Sequence, residues 1–86
     1  MVIFITSESA YTEMKEILLS AMHPVWVSAG VLQEFEIENL LNKGIDVSVL
    51  NYAVDTENRK DVECAISTIK EHHFGENIWV QIENKN

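Results

Sequence analysis

The segment Val2–Ile5 is apolar at every position, and three of its four residues are β-branched. Successive side chains on a strand point to opposite faces, so a strand with this sequence needs cover on both faces. Helices packed on the two sides of a parallel sheet provide such cover. The segment therefore predicts a central strand of a parallel sheet, and this prediction constrains the rest of the chain.

Strand and helix signals alternate after this segment. The polar run at 6–9 supplies candidate N-caps, and His23-Pro24 ends the helix that follows. Short apolar runs predict strands at 25–27, 45–50 and 78–83. Residues 31–43 fit either a strand or a helix, but their glutamate and leucine content and the stop at Lys43-Gly44 favour a helix. The first helix is expected to bury one apolar stripe: Tyr11, Met14, Leu18 and Ala21, joined by Ile17 and Met22.

The third helix has the clearest periodicity. Asp55 or Thr56 is expected to cap its start, and Phe74-Gly75 is expected to end it. Its apolar stripe is expected to be centred on Ile66 and to contain Val62, Ala65, Ile66, Ile69 and His73. Cys64 falls on the opposite side of this helix, where a free thiol is expected to be inert.

These elements predict one small α/β domain spanning residues 1–86, in the order β-α-β-α-β-α-β. Helical crossovers make the four strands mostly parallel, and the first strand belongs in the middle. We expect the sheet order 2-1-3-4. The last strand carries Ile78, Val80 and Ile82 on one face, and Trp79, Gln81 and Glu83 on the other. This half-polar pattern is typical of an edge strand.

The chain has 86 residues with 14 acidic and 6 basic side chains, a net charge of −8. Such a surface repels phosphate groups, so we expect no direct binding to nucleic acid or to anionic membranes. Basic proteins are compatible partners. Cys64 is the only cysteine, which excludes an intrachain disulfide. No leader or membrane segment is evident, and a cytoplasmic location is expected.

Polar residues are expected at the carboxyl edge of the sheet, where parallel sheets bind ligands. Glu8 and Asp55 follow strands that the order 2-1-3-4 makes neighbours, so together they could hold Mg²⁺. The alternative is that they cap helices. Ser28 begins a Ser-Ala-Gly turn that could bind an anion, although one glycine is weak evidence for a phosphate loop. His72-His73 is expected to be structural, because adjacent helical side chains diverge by about 100°.

Two features favour an interaction surface. Trp79 lies beside Gln81 on the expected edge strand, and tryptophan is enriched at interfaces. Glu34, Glu36 and Glu38, together with Glu13 and Glu16, could form an acidic docking surface or simply face solvent. With no catalytic constellation or cofactor motif, the sequence favours a non-catalytic acidic module that binds a basic partner protein. The alternatives are a small enzyme or Mg²⁺-dependent sensor using Glu8 and Asp55, and a structural homodimer that self-associates. No cofactor or metal is expected.

Overall fold

The computed structural model of the chain describes residues 1–20 and 22–82, so the predicted positions of Ala21 and Glu83 lie outside the described residues. Four strands and three helices alternate within these ranges, which confirms the predicted α/β class. They are β1 (Val2–Ile5), α1 (Glu8–Leu19), β2 (Val25–Val27), α2 (Glu34–Asn42), β3 (Val47–Val49), α3 (Arg59–His72) and β4 (Ile78–Gln81). None of the helices formed by these residues combines the length and the apolar character needed to cross a membrane.

The four strands form one parallel sheet in the order β3-β2-β1-β4. Strand β1 is internal, as predicted, and β4 is an edge strand, as predicted. The expected order 2-1-3-4 is wrong in one respect: β3 lies outside β2, and β4 takes the place beside β1. Ile3 of β1 is therefore in register with Val25 of β2 on one side and with Trp79 of β4 on the other.

The placement of α2 accounts for this order. Residues of α1 and α2 pack with Ile3 and Ile5 on one face of the sheet, whereas α3 packs with Val2 and Phe4 on the other face. Right-handed crossovers on the same face move the chain in the same direction. Because α1 and α2 lie on the same face, β2 is placed on one side of β1 and β3 is placed beyond β2 in the same direction. Helix α3 lies on the opposite face, so it carries the chain back past β2 and β1 and places β4 on the other side of β1. In the order 2-1-3-4 the chain would reverse direction between β2 and β3. A right-handed crossover would then place α2 on the face of the sheet that α3 covers.

Strand β1 is the centre of the core. All four of its residues are 0% exposed. On one face, Ile3 and Ile5 contact a cluster that includes Met14, Leu18 and Leu40. On the opposite face, Val2 and Phe4 belong to a cluster with Trp26, Leu50, Val54, Ala65 and Ile69. The doubly apolar sequence of β1 is thus matched by cover on both sides, as predicted.

Side chains fix the starts of two helices. The Ser7 hydroxyl accepts a hydrogen bond from the Ala10 N–H at 3.1 Å at the start of α1. Asn58 caps α3 by accepting from the Lys60 N–H at 3.0 Å. The predicted caps of α3, Asp55 or Thr56, are wrong, because the helix begins later than expected. The Asp55 carboxylate instead accepts from the N–H two residues on, at 3.0 Å, in the preceding turn.

The buried stripe of α3 is rotated from the predicted one. Ala65 and Ile69 are fully buried and Val62 packs against them, whereas Ile66 is only half-buried. Ile66 follows Ala65 by about 100° around the helix, which moves its side chain to the margin of the contact. Cys64 is exposed, in agreement with its predicted position.

We expect Ile69→Ala to lower the free energy of unfolding by about 2–5 kcal/mol, because it removes a fully buried side chain. Ile66→Ala is the matched control on the same helix, and its cost should be well below half of that. Urea denaturation of the two variants measures the difference. Equal costs would contradict the observed rotation of α3.

Candidate functional site

The carboxyl edge of the sheet does not bring the predicted ligand residues together. Glu8 is the first residue of α1 after β1, and Asp55 lies in the loop after β3. Strand β2 lies between β1 and β3, so the strands that precede Glu8 and Asp55 are roughly 10 Å apart. Among residues 1–20 and 22–82, no group of three or more His, Cys, Asp or Glu side chains could hold a metal ion.

Ser28 is buried at the end of β2. Its hydroxyl accepts a hydrogen bond from the Val54 N–H at 2.8 Å, and the next N–H, from Ala29, donates to the Tyr52 carbonyl at 3.1 Å. These bonds join the end of β2 to the loop that follows β3. The Ser28 hydroxyl, a predicted ligand group, thus satisfies a buried backbone donor inside the fold.

A cleft of about 410 Å³ opens at the start of α1, beside the point where the strand order reverses between β1 and β4. It is lined by Ser7, Glu8, Ser9 and Thr12. The Ser7 hydroxyl accepts from Ala10, and the Thr12 hydroxyl donates to the Glu8 carbonyl at 3.1 Å. Two of the three hydroxyls therefore serve the helix itself, and the carboxylate of Glu8 opposes an anionic ligand.

Tyr52 and Cys64 are neighbours on the α3 face of the sheet. Burial raises the pKa of the Tyr52 hydroxyl above its ordinary value, and the Cys64 thiol acts in the same direction. The hydroxyl oxygen has no hydrogen bond of good geometry within the described chain. A tyrosine in this state stays protonated at neutral pH, so it has the character of a packing residue rather than of a base.

The two adjacent histidines also serve the fold. The indole Nε1 of Trp26 donates to Nε2 of His73 at 3.0 Å, and Nδ1 of His73 lies 3.2 Å from the Glu76 carboxylate. Because an indole nitrogen only donates, His73 accepts through Nε2 and carries its proton on Nδ1. The ring of His72 lies against that of Trp26, with the ring centroids 5.2 Å apart and the planes tilted by 41°. This arrangement agrees with the structural role expected for the pair.

A different surface lies along β4, which pairs with β1 and with no other strand of the described residues. The indole of Trp79 is 51% exposed there, and its Nε1 donates to Oε1 of Gln81 at 2.8 Å. Nε2 of Gln81 in turn donates to the Glu13 carboxylate of α1 at 2.8 Å. This chain of two hydrogen bonds holds the exposed indole against the edge of the sheet, although all three side chains are accessible to a partner.

Helix α1 adds an apolar group to the same surface. Trp79 and Gln81 are in register with Ile3 and Ile5, so they point to the face that α1 covers. Ile17 follows Glu13 by one helical turn, which places it on the β4 side of α1, and it is 48% exposed. Its predicted place in the buried stripe is therefore wrong, as is that of Met22, which lies beyond the end of α1 and is exposed. We define the β4 surface as strand β4, Ile82, and the α1 side chains of Glu13 and Ile17.

The predicted interaction residues separate into two regions. Trp79 and Gln81 belong to the β4 surface. Glu34 and Glu38 are exposed on α2, which packs beside β3 at the opposite edge of the sheet. The sequence placed Glu13 among the acidic residues of a possible docking surface, but it did not predict the contact of Glu13 with Gln81 or the exposure of Ile17. The 3.6-residue period offered one signal, because Ile17 lies about 60° from Met14 and about 100° from Leu18 around the helix, on the side away from Leu18.

A scan against protein-family models, a search of curated proteins and a search of solved structures each gave no match to this chain.

We expect Ser28→Ala to lower the free energy of unfolding by about 1–3 kcal/mol, because it leaves the buried Val54 N–H without its acceptor. Ser9→Ala, at an exposed position in the cleft, should change stability little. Thermal or urea denaturation distinguishes the two. A stable Ser28→Ala variant would return Ser28 to the list of candidate ligand groups.

Proposed function

We propose that this chain is a non-catalytic interaction module that binds a basic partner protein through the β4 surface. The proposal rests on one observation: the side chain of Trp79 is half-exposed on an edge strand and is held there by its hydrogen bond to Gln81. Tryptophan side chains dominate binding energy at many protein interfaces, because they bury a large area at low cost in conformational entropy. An indole already held in place loses little further freedom when a partner covers it.

Charge supports a basic partner. The chain carries a net charge of −8, and the exposed acids of α1 outnumber its single basic residue, Lys15. Glu13 lies in the β4 surface itself, and Glu76 is exposed just before β4. Opposite charge on a partner would accelerate association and disfavour acidic competitors. The same charge argues against nucleic acid as the ligand.

This function is favoured over the two alternatives. A Mg²⁺ site built from Glu8 and Asp55 loses support, because the strands that precede them are not neighbours. A homodimer would bring two chains of charge −8 together, whereas a basic partner reduces that charge. A single cysteine suits a reducing compartment, and we propose the cytoplasm as the place of action.

Affinity capture from a lysate of the native host, followed by mass spectrometry, tests the proposal. The baits are the wild-type chain, Trp79→Ala, and the matched control Phe35→Ala, which removes an aromatic side chain that is 65% exposed on α2. We expect a protein of basic isoelectric point to bind the wild type and Phe35→Ala, and to bind Trp79→Ala about tenfold more weakly when purified. Circular dichroism confirms that the variants fold. Undiminished binding by Trp79→Ala would contradict the proposal.

A further inference from the structure

The backbone of β4 has hydrogen-bonding groups on both of its sides, but only one side is paired. The carbonyls of Asn77 and Gln81 accept from the N–H groups of Val2 and Thr6, at 2.8 and 3.3 Å. Backbone groups alternate in direction along a strand, so the N–H and C=O groups of Ile78 and Val80 point away from β1. They have no hydrogen-bond partner within residues 1–20 and 22–82.

Exposed apolar side chains lie beside this open edge on both faces of the sheet, joined on the α1 face by the polar Gln81 and Glu13. Ile82 is 44% exposed and follows Val80 on the face that α3 covers. Trp79 and Ile17 lie on the face that α1 covers. The edge strands of other proteins commonly carry charged residues or proline that prevent pairing. Within the described part of β4, Ile78–Gln81, there is no charge and no proline.

From these observations we infer that the partner's docking segment is an extended, basic polypeptide strand that adds to the sheet alongside β4. This inference rests on the proposed function and names the mode of binding. The added strand would pair its backbone with Ile78 and Val80, as in other cases of β-strand addition. Its alternate side chains would contact Trp79 and Ile17 on one face, and Val80 and Ile82 on the other.

The charges of the β4 surface determine which side chains of an added strand would bind there. Glu13 accompanies Trp79 on the α1 face, so lysine or arginine residues of the added strand would pair with the carboxylate and lie against the exposed indole. On the α3 face, Ile78, Val80 and Ile82 offer apolar contacts, which suit valine-like residues. A second copy of this chain fits less well, because its own β4 surface would bring a second Glu13 and a further charge of −8.

A short synthetic peptide of alternating lysine and valine tests the inference on the full chain, and a peptide of alternating glutamate and valine is the control. Amide hydrogen exchange is followed by NMR at saturating peptide. We expect the Ile78 and Val80 amides to gain at least about tenfold protection with the lysine peptide and none with the glutamate peptide. Trp79→Ala should weaken binding of the lysine peptide about tenfold, and Phe35→Ala should not.

The other outcomes overturn the inference in distinguishable ways. Binding that shifts the Trp79 resonances while Ile78 and Val80 stay unprotected would reject strand addition and leave the proposed interaction site in place. No binding of the lysine peptide would reject the extended basic segment, and the host-lysate capture would then decide the proposed function by itself. Protection of Ile78 and Val80 without peptide, rising with protein concentration, would identify a second copy as the occupant.

Discussion

Strand β1 imposes the main constraint on this molecule, because its four residues are fully buried and apolar on both faces. A strand of this kind is stable only with a strand on each side and helices above and below. Strands β2 and β4 flank it, α1 covers one face and α3 covers the other. Strand β4 completes this enclosure and becomes the edge of the sheet on that side. The β4 surface that we propose for binding therefore arises because β4 flanks β1 and has no further strand beside it within the described residues.

The fold class followed from the sequence because it depends on local patterns. The alternation of apolar runs and helical stripes predicted the parallel α/β sheet, and the uniform apolar character of Val2–Ile5 predicted its central strand. The strand order could not be predicted from these local patterns. It depends on which face of the sheet α2 covers, and the stripe of an amphipathic helix shows only that one side of the helix is buried. The exact rotation of α3 was not predicted for a related reason: the periodicity placed both Ala65 and Ile66 in the buried stripe, whereas only Ala65 is fully buried.

The candidate site could be predicted only in part. The alternation of apolar and polar residues in the last strand identified the edge and placed Trp79 beside Gln81. The contribution of Glu13 depends on a contact between residues 68 positions apart, which no local pattern encodes. Glu8 and Asp55 were paired through the expected strand order, so the error in that order produced the error in the site. Glu34 and Glu38 were proposed as interaction residues from their charge alone, and they lie near the edge of the sheet opposite Trp79.

Amide hydrogen exchange of the free, monomeric chain measures whether β4 is an open edge of a sheet whose centre is β1. The Phe4 amide should exchange among the slowest, through global unfolding, because β1 lies at the middle of the sheet. The Ile78 and Val80 amides should exchange within about tenfold of unstructured rates, while their neighbours Trp79 and Gln81, which face β1, should be protected. Strong protection of Ile78 and Val80 that is independent of protein concentration would contradict the account.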